Sequence, residues 1–200
     1  VPETNALLNG RIIVFLLCAF LMLVSHGTYY GFFSIHLENL GYGNSFIGMT
    51  WALASSAEIL VMIKSNRIFK RFSLENVLKY SFIVATARWL VLFVVKSPLA
   101  ILSSQISHAI TYGTFHMASI LYIDSLAPDR AKTLAQAVNN AVTYGLGLMT
   151  GFFISGALYE KAGSYFLFMV SGFIALSGGI LFWRFPMVDR QSNKPASRSV

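Results

Sequence analysis

Residues 98–123 read PLAILSSQISHAITYGTFHMASILYI, 26 positions without a single Lys, Arg, Asp or Glu. About 20 mostly apolar residues are enough for an α-helix to cross the ~30 Å hydrocarbon core of a bilayer. A stretch this long therefore reads as a membrane span, since the buried helices of soluble domains are shorter. The composition extends that reading to the whole chain: 56% of the 200 residues are hydrophobic and 12% are charged. A soluble domain carries roughly 25% charge.

Working outward, apolar runs separated by short polar breaks give six expected spans, at about 11–36, 45–63, 76–95, 98–123, 133–158 and 163–185. The breaks carry turn or charge signals: ENLGYGN, KSNRIFKRFSLE, KSP, LAPDRAK, YEKAGS and the polar tail PMVDRQSNKPASRSV. No stretch reads as a soluble domain, so residues 1–200 are expected to be a single transmembrane domain. Cys18 lies inside the first run, and with no second cysteine the fold uses no disulfide. The opening VPETNALLNG has neither a start methionine nor the charged start and cleavage site of a signal peptide. The chain is expected to be a fragment of something longer.

Lys and Arg near span ends are retained in the cytoplasm. Twelve of them, among them Arg11, Lys64, Arg67, Lys70, Arg71, Arg130, Lys132, Arg190, Lys194 and Arg198, fall at one set of ends, against Lys96 and Lys161 at the other. Both termini are thus expected in the cytoplasm. The net charge of +7 follows from this topology and from anionic headgroups, and calls for no nucleic acid.

An ionisable group inside the hydrocarbon costs a few kcal/mol or more and normally faces a bundle interior or a wet path. Four such residues stand out: Glu58 in the second span, Arg88 in the third, and His108 and His116 in the fourth. Along the fourth span, Gln105, His108, Tyr112, His116 and Ser119 fall within roughly 90° at 100° per residue, one polar stripe on an apolar helix. For Gln105 and Ser119 the competing reading is hydrogen bonding to neighbouring helices as packing glue. Two histidines on one stripe favour function, because a neutral imidazole both accepts and passes on a proton. Counting the rise per residue puts Arg88 and His108 near the midplane, with Glu58 and His116 within about 10 Å toward the cytoplasmic side. A carboxylate beside a guanidinium can change charge when its partner moves. The alternative for Glu58 and Arg88 is a static buried ion pair.

His26, Tyr29 and Tyr30, beside Gly27 and Gly31, combine aromatic faces with polar tips where a ligand or helix can come close. Asn139 and Asn140 place two amides in the fifth span, lining a cavity or bonding across helices. Asp124, Asp129 and Arg130 lie at a cytoplasmic end, as solvated or gate-forming charges. Gly145, Gly147, Gly151 and Gly156 suggest close helix packing. The chain has no Gly-rich phosphate loop, no HExxH or CxxC metal pattern and no GxSxG elbow. No enzyme, cofactor or metal is expected.

Three segments carry a resemblance: FFSIHLENLGYGNSFIGMTWALASSAEILVM, the basic NRIFKRF, and ISGALYEKAGSYFLFMVSGFIAL. They resemble, in turn, the first helix pair, a degenerate cytoplasmic loop and the final helix pair of the C-terminal half of a major facilitator superfamily transporter. Within that superfamily the chain looks most like proton-coupled symporters of the lactose, nucleoside and phenylpropionate permease type. The lactose-permease pattern places a Glu, an Arg and a His on three successive helices, in the order of Glu58, Arg88 and His116. Where that pattern continues His-Met-x-Glu, this chain reads His116, Met117, Ala118, Ser119. The resemblance implies an all-α membrane protein of six transmembrane helices, arranged as a 3+3 inverted repeat and forming half of a twelve-helix transporter.

The function this resemblance implies is proton-coupled transport of a small organic solute by alternating access, across a bacterial inner membrane. Glu58, Arg88 and His116 are the expected proton-coupling and charge network, and His108, Tyr112, Tyr29 and Asn140 the candidates for lining the substrate cavity. The implied partners are an N-terminal six-helix half, a small-molecule substrate, protons and membrane lipid. The alternatives are a facilitative or efflux transporter of the same fold, and a membrane interaction module that transports nothing.

Overall fold

The computed structural model describes residues 9–185. Arg190, Lys194 and Arg198, counted above at the cytoplasmic ends, lie outside the described residues, as do the rest of the tail from 186 and residues 1–8.

The described elements are all helical. Helix α1 spans Gly10–Asn39, α2 Asn44–Arg71 and α3 Leu74–Val94. Next come α4 (Pro98–Ile106), a π-helical segment (Ala109–Thr114) and α5 (Phe115–Leu126). A 3₁₀ turn (Asp129–Ala131), α6 (Lys132–Asn140), a second π-helical segment (Ala141–Gly147) and α7 (Leu148–Arg184) complete the described chain. The starts are written locally. Asn9 accepts a hydrogen bond from the Arg11 amide at 3.1 Å and Ser73 accepts one from the Asn76 amide at 3.3 Å, the side-chain caps that free helix N-termini need. Pro98 opens α4, where its missing N–H costs nothing.

Among the described residues, four helical stretches, against the six spans expected, are long and apolar enough to cross a membrane: Gly10–Asn39, Asn44–Arg71, Leu74–Val94 and the continuous run Asp129–Arg184. Helix α1 forms the centre of the bundle, with Phe15, Met22, Tyr29, Phe33 and Leu37 fully enclosed. It packs along α7, and α3 packs on α7 as well. Helix α2 lies at the periphery and leaves Ile59, Leu60 and Ile63 exposed. In a bilayer that exposure carries no penalty, because lipid tails are as apolar as the side chains.

Helix α7 is not one straight rod. Gly163, at φ 72° and ψ 172°, has a backbone conformation that side chains with a Cβ rarely adopt. The Thr28 hydroxyl of α1 shows what this break does. It lies 2.8 Å from the Ser155 hydroxyl and accepts from the Ser171 hydroxyl at 2.7 Å. On a straight helix those two serines would stand about 24 Å apart. The arms on either side of Gly163 therefore fold back beside one another, and α1 lies against both.

Backbone closeness fixes one of these contacts. A Cβ added to Gly27 would lie 2.5 Å from the Gly151 backbone, so α1 and the first arm of α7 touch main chain to main chain, as small residues allow in membrane bundles. Of the other glycines expected to pack, Gly147 lies against α1, while Gly145 and Gly156 face open space.

Candidate functional site

The π-helical segment after α4 sits between α2 and α3, and short stretches of this kind recur at functional sites. It follows His108 directly and carries Thr111 and Tyr112, with His116 a turn beyond on α5. The rings of His108 and Tyr112 stack at 5.2 Å, those of Tyr112 and His116 at 6.4 Å, each pair within 14° of parallel. The polar stripe is thus a column of three rings.

At the head of the column Arg88, from α3, is buried to 2% exposure and hydrogen-bonded from all three of its nitrogens. It donates from Nε to the Ser104 carbonyl at 2.9 Å, from Nη1 to His108 Nδ1 at 2.9 Å and from Nη2 to Gln105 Oε1 at 3.3 Å. Its guanidinium carbon also lies 4.2 Å from the Tyr29 ring and 4.6 Å from the Trp89 ring, at cation–π range. Tyr29 donates its hydroxyl to the same Gln105 oxygen at 2.8 Å.

Arginine has no acceptor, so the Arg88 contact occupies the lone pair of His108 Nδ1. The proton of the neutral imidazole then sits on Nε2. That nitrogen lies 2.9 Å from Glu58 Oε1 and 3.4 Å from the Tyr30 hydroxyl. The carboxylate oxygen, though close, has no aligned hydrogen-bond donor. Arg88, His108 and Glu58 form a chain of guanidinium, imidazole and carboxylate drawn from three helical elements. Glu58 reaches inward over Gly113 of the π-helical segment, which a Cβ there would meet at 3.7 Å.

His116, expected in the charge network, lies a turn further along the same column. Its Nδ1 shares a 2.5 Å hydrogen bond with the Tyr144 hydroxyl, and its ring stacks on Tyr112 at 6.4 Å. Tyr112 is part-exposed, Tyr29 is enclosed and Asn140 is exposed. Asn139, not Asn140, turns into the bundle and donates to the Ser119 hydroxyl at 3.4 Å. His26 donates from Nδ1 to the Met22 carbonyl at 2.9 Å and meets the Trp89 ring edge-on at 4.9 Å. At the end of α5, Lys132 pairs with Asp124 at 3.3 Å and Asp129 at 3.0 Å. These contacts hold the Lys132 ammonium above its ordinary range, the Asp129 bond most.

Two participants were not singled out from the sequence. Tyr144 lies within QAVNNAVTYGLG, where the second π-helical segment breaks the ordinary helical period. Trp51 stacks near Tyr30 at 6.2 Å and donates to the Ser34 hydroxyl at 3.0 Å; its pattern on α2 is that of any apolar position. Among the described residues, no three His, Cys, Asp or Glu side chains gather into a metal-binding group.

An apolar helical bundle with a buried ionic chain defines an integral membrane protein. The chain belongs to the MFS_1 like family, whose model matches residues 3–170. It is 33% identical over 164 residues to a protein of Escherichia coli (strain K12) named "Probable 3-phenylpropionic acid transporter", covering 81% of this chain and 42% of that protein. A second Escherichia coli relative, which carries a nucleoside-transporter name, is 26% identical over 78% of this chain and 38% of its own length. The maltose permease of Geobacillus stearothermophilus is 26% identical over 83% and 43%. The chain spans about two fifths of the length of these relatives.

Proposed function

We propose that residues 1–200 are one half of a major facilitator transporter that moves a small organic solute by alternating access, coupled to protons. On this reading the broken run Pro98–Leu126 and the two arms of α7 count as separate spans. They bring the total to six, in a 3+3 inverted repeat. An N-terminal six-helix half completes the twelve, both termini face the cytoplasm, and the membrane is a bacterial inner membrane. The transporter names of the relatives support the solute class.

The observation that carries the reading is the Arg88–His108–Glu58 chain. A neutral imidazole between a fixed cation and a carboxylate lacking an aligned donor has one site for a further proton, the nitrogen that Arg88 now occupies. Uptake of a proton there releases Arg88, and release of Arg88 gives Glu58 a new partner. Glu58, Arg88 and His108 then form the coupling core, with His116 its extension through Tyr112 to Tyr144. Tyr30, Trp51, Tyr112 and Tyr144 offer flat faces on the open side of the chain, suited to a solute containing a ring.

One observation favours a facilitative transporter instead: Arg88 donates from each of its three nitrogens, to Ser104, Gln105 and His108, as a static packing residue would. The two readings separate in vesicles holding the full-length protein. A proton symporter accumulates solute when the outside is made acidic and carries protons in with it. A facilitator only equilibrates.

A further inference from the structure

The last three turns of α2 carry a feature that lies outside the Arg88–His108–Glu58 chain. Lys64, Arg67 and Arg71 fall at i, i+3 and i+7, within about 60° of one another on the helix. They line a shallow recess of about 380 Å³ whose remaining walls are Leu60, Val61, Ile68 and Phe72. All three cations are exposed, and none has a carboxylate within ion-pair distance among the described residues. Arg71 folds toward the Phe72 ring, 5.8 Å away.

Their height along the membrane matters. Helix α2 begins at Asn44, and about 20 residues of helix cross the hydrocarbon. Lys64 then stands at the far boundary of the apolar core, with Arg67 and Arg71 in the headgroup layer beyond it. Directly below, Leu60 and Ile63 are exposed toward the hydrocarbon. The recess therefore offers an apolar wall at acyl-chain depth and, at phosphate depth, three cations with no carboxylate partner among the described residues.

We propose that this recess binds an anionic phospholipid, with its phosphate between Lys64, Arg67 and Arg71 and its upper acyl chain along Leu60, Val61 and Ile68. A free phosphate fits less well, because it leaves the apolar wall unused. A zwitterionic lipid brings an ammonium into a wholly cationic rim. The inference needs only that α2 spans the membrane, and stands apart from any reading of proton coupling.

The test uses the full chain in nanodiscs of phosphatidylcholine and phosphatidylglycerol in equal parts, with the lipids retained on release measured by native mass spectrometry. The wild type is expected to retain phosphatidylglycerol in preference to phosphatidylcholine. The triple variant Lys64→Gln, Arg67→Gln, Arg71→Gln is expected to lose about tenfold or more of that preference, since each cation near an anionic surface contributes separately. Lys70→Gln, off the recess face, keeps it. Should the triple variant fail to express, the pair Arg67→Gln and Arg71→Gln is expected to lose most of it. No preference in the wild type, or an equal loss in Lys70→Gln, overturns the proposal. So does displacement of the bound lipid by inorganic phosphate alone, which makes the site one for free anions. A cysteine at Arg67, in a Cys18-free background, is expected to be shielded from a water-soluble thiol reagent in nanodiscs containing phosphatidylglycerol and open in those of phosphatidylcholine. Shielding in both means that protein covers the recess, and overturns it too.

Discussion

Arg88 Nη1 donates to His108 Nδ1 at 2.9 Å, and this one bond sets the tautomer of a histidine in the middle of an apolar bundle. A proton arriving at His108 and the guanidinium of Arg88 compete for the same lone pair. Protonated imidazole is a donor at both nitrogens, so the contact becomes donor against donor and must open. The 2.9 Å approach of His108 Nε2 to Glu58 places the group that gains from the new charge on the other side of the ring.

If these residues act as a unit, their removal is not additive. Arg88→Gln alone leaves Glu58 as a part-buried carboxylate with no cation behind His108, which is expected to destabilise the bundle. The double change Glu58→Gln with Arg88→Gln is expected to be milder than Arg88→Gln alone. Thermal unfolding of the purified full-length variants, read as a double-mutant cycle, gives the coupling. Simple addition of the two single effects would show that the residues are independent.

His108 and His116 are expected to differ in weight. His108 lies within 2.9 Å of both charged residues, whereas the contacts of His116 are the Tyr144 hydroxyl and the Tyr112 ring. His116→Asn should weaken solute accumulation less than His108→Asn does. Tyr144→Phe, which removes the hydroxyl bonded to His116, should match His116→Asn. Equal losses in all three would point to a general packing defect.

Glycine positions give a sharper structural contrast. Gly163→Ala forces a Cβ into the φ 72° turn of α7 and should cost on the order of 1–3 kcal/mol. Gly151→Ala drives a Cβ into the α1 backbone and should loosen the bundle as well. Gly156→Ala, facing open space, should raise helix stability by about 0.5–1 kcal/mol. Thermal denaturation ranks the three, and a stabilised Gly151→Ala would contradict the helix contact.

Sidedness is open to direct labelling. In a Cys18-free background, a cysteine at Asn66 is expected to react with an impermeant thiol reagent only from the cytoplasm, and one at Gly43 only from outside. Reaction of Asn66→Cys from outside would invert the proposed orientation.

The all-helical apolar character, the break at YEKAGS and the four ionisable residues were legible because hydropathy and the 100° helical period act along one helix at a time, whereas four span-length helices stand among the described residues where six spans were expected. The partner of each residue was not, since it depends on how helices sit in depth and rotation. Glu58 was expected level with His116, and its carboxylate lies 2.9 Å from His108 Nε2, a pairing that counting the rise along single helices does not give. The π-helical segments at Ala109–Thr114 and Ala141–Gly147 shift the register that a 3.6-residue period assumes, which hid Tyr144. The Thr28, Ser155 and Ser171 hydroxyl cluster joins residues more than a hundred positions apart, and nothing local marks it.

Exchange of a proton for Arg88 on His108 is probed by His108→Asn in the full-length protein, reconstituted in vesicles, where Asn keeps a polar group but takes up no proton near neutral pH. The measurement compares accumulation driven by an acidic exterior with counterflow, for a solute that the wild type concentrates. Counterflow needs alternating access without net proton movement, so it also reports that the variant is folded. Accumulation is expected to fall about tenfold or more, while counterflow falls far less. Accumulation at the wild-type level in His108→Asn would contradict that exchange and leave the Arg88–His108 bond a feature of packing alone.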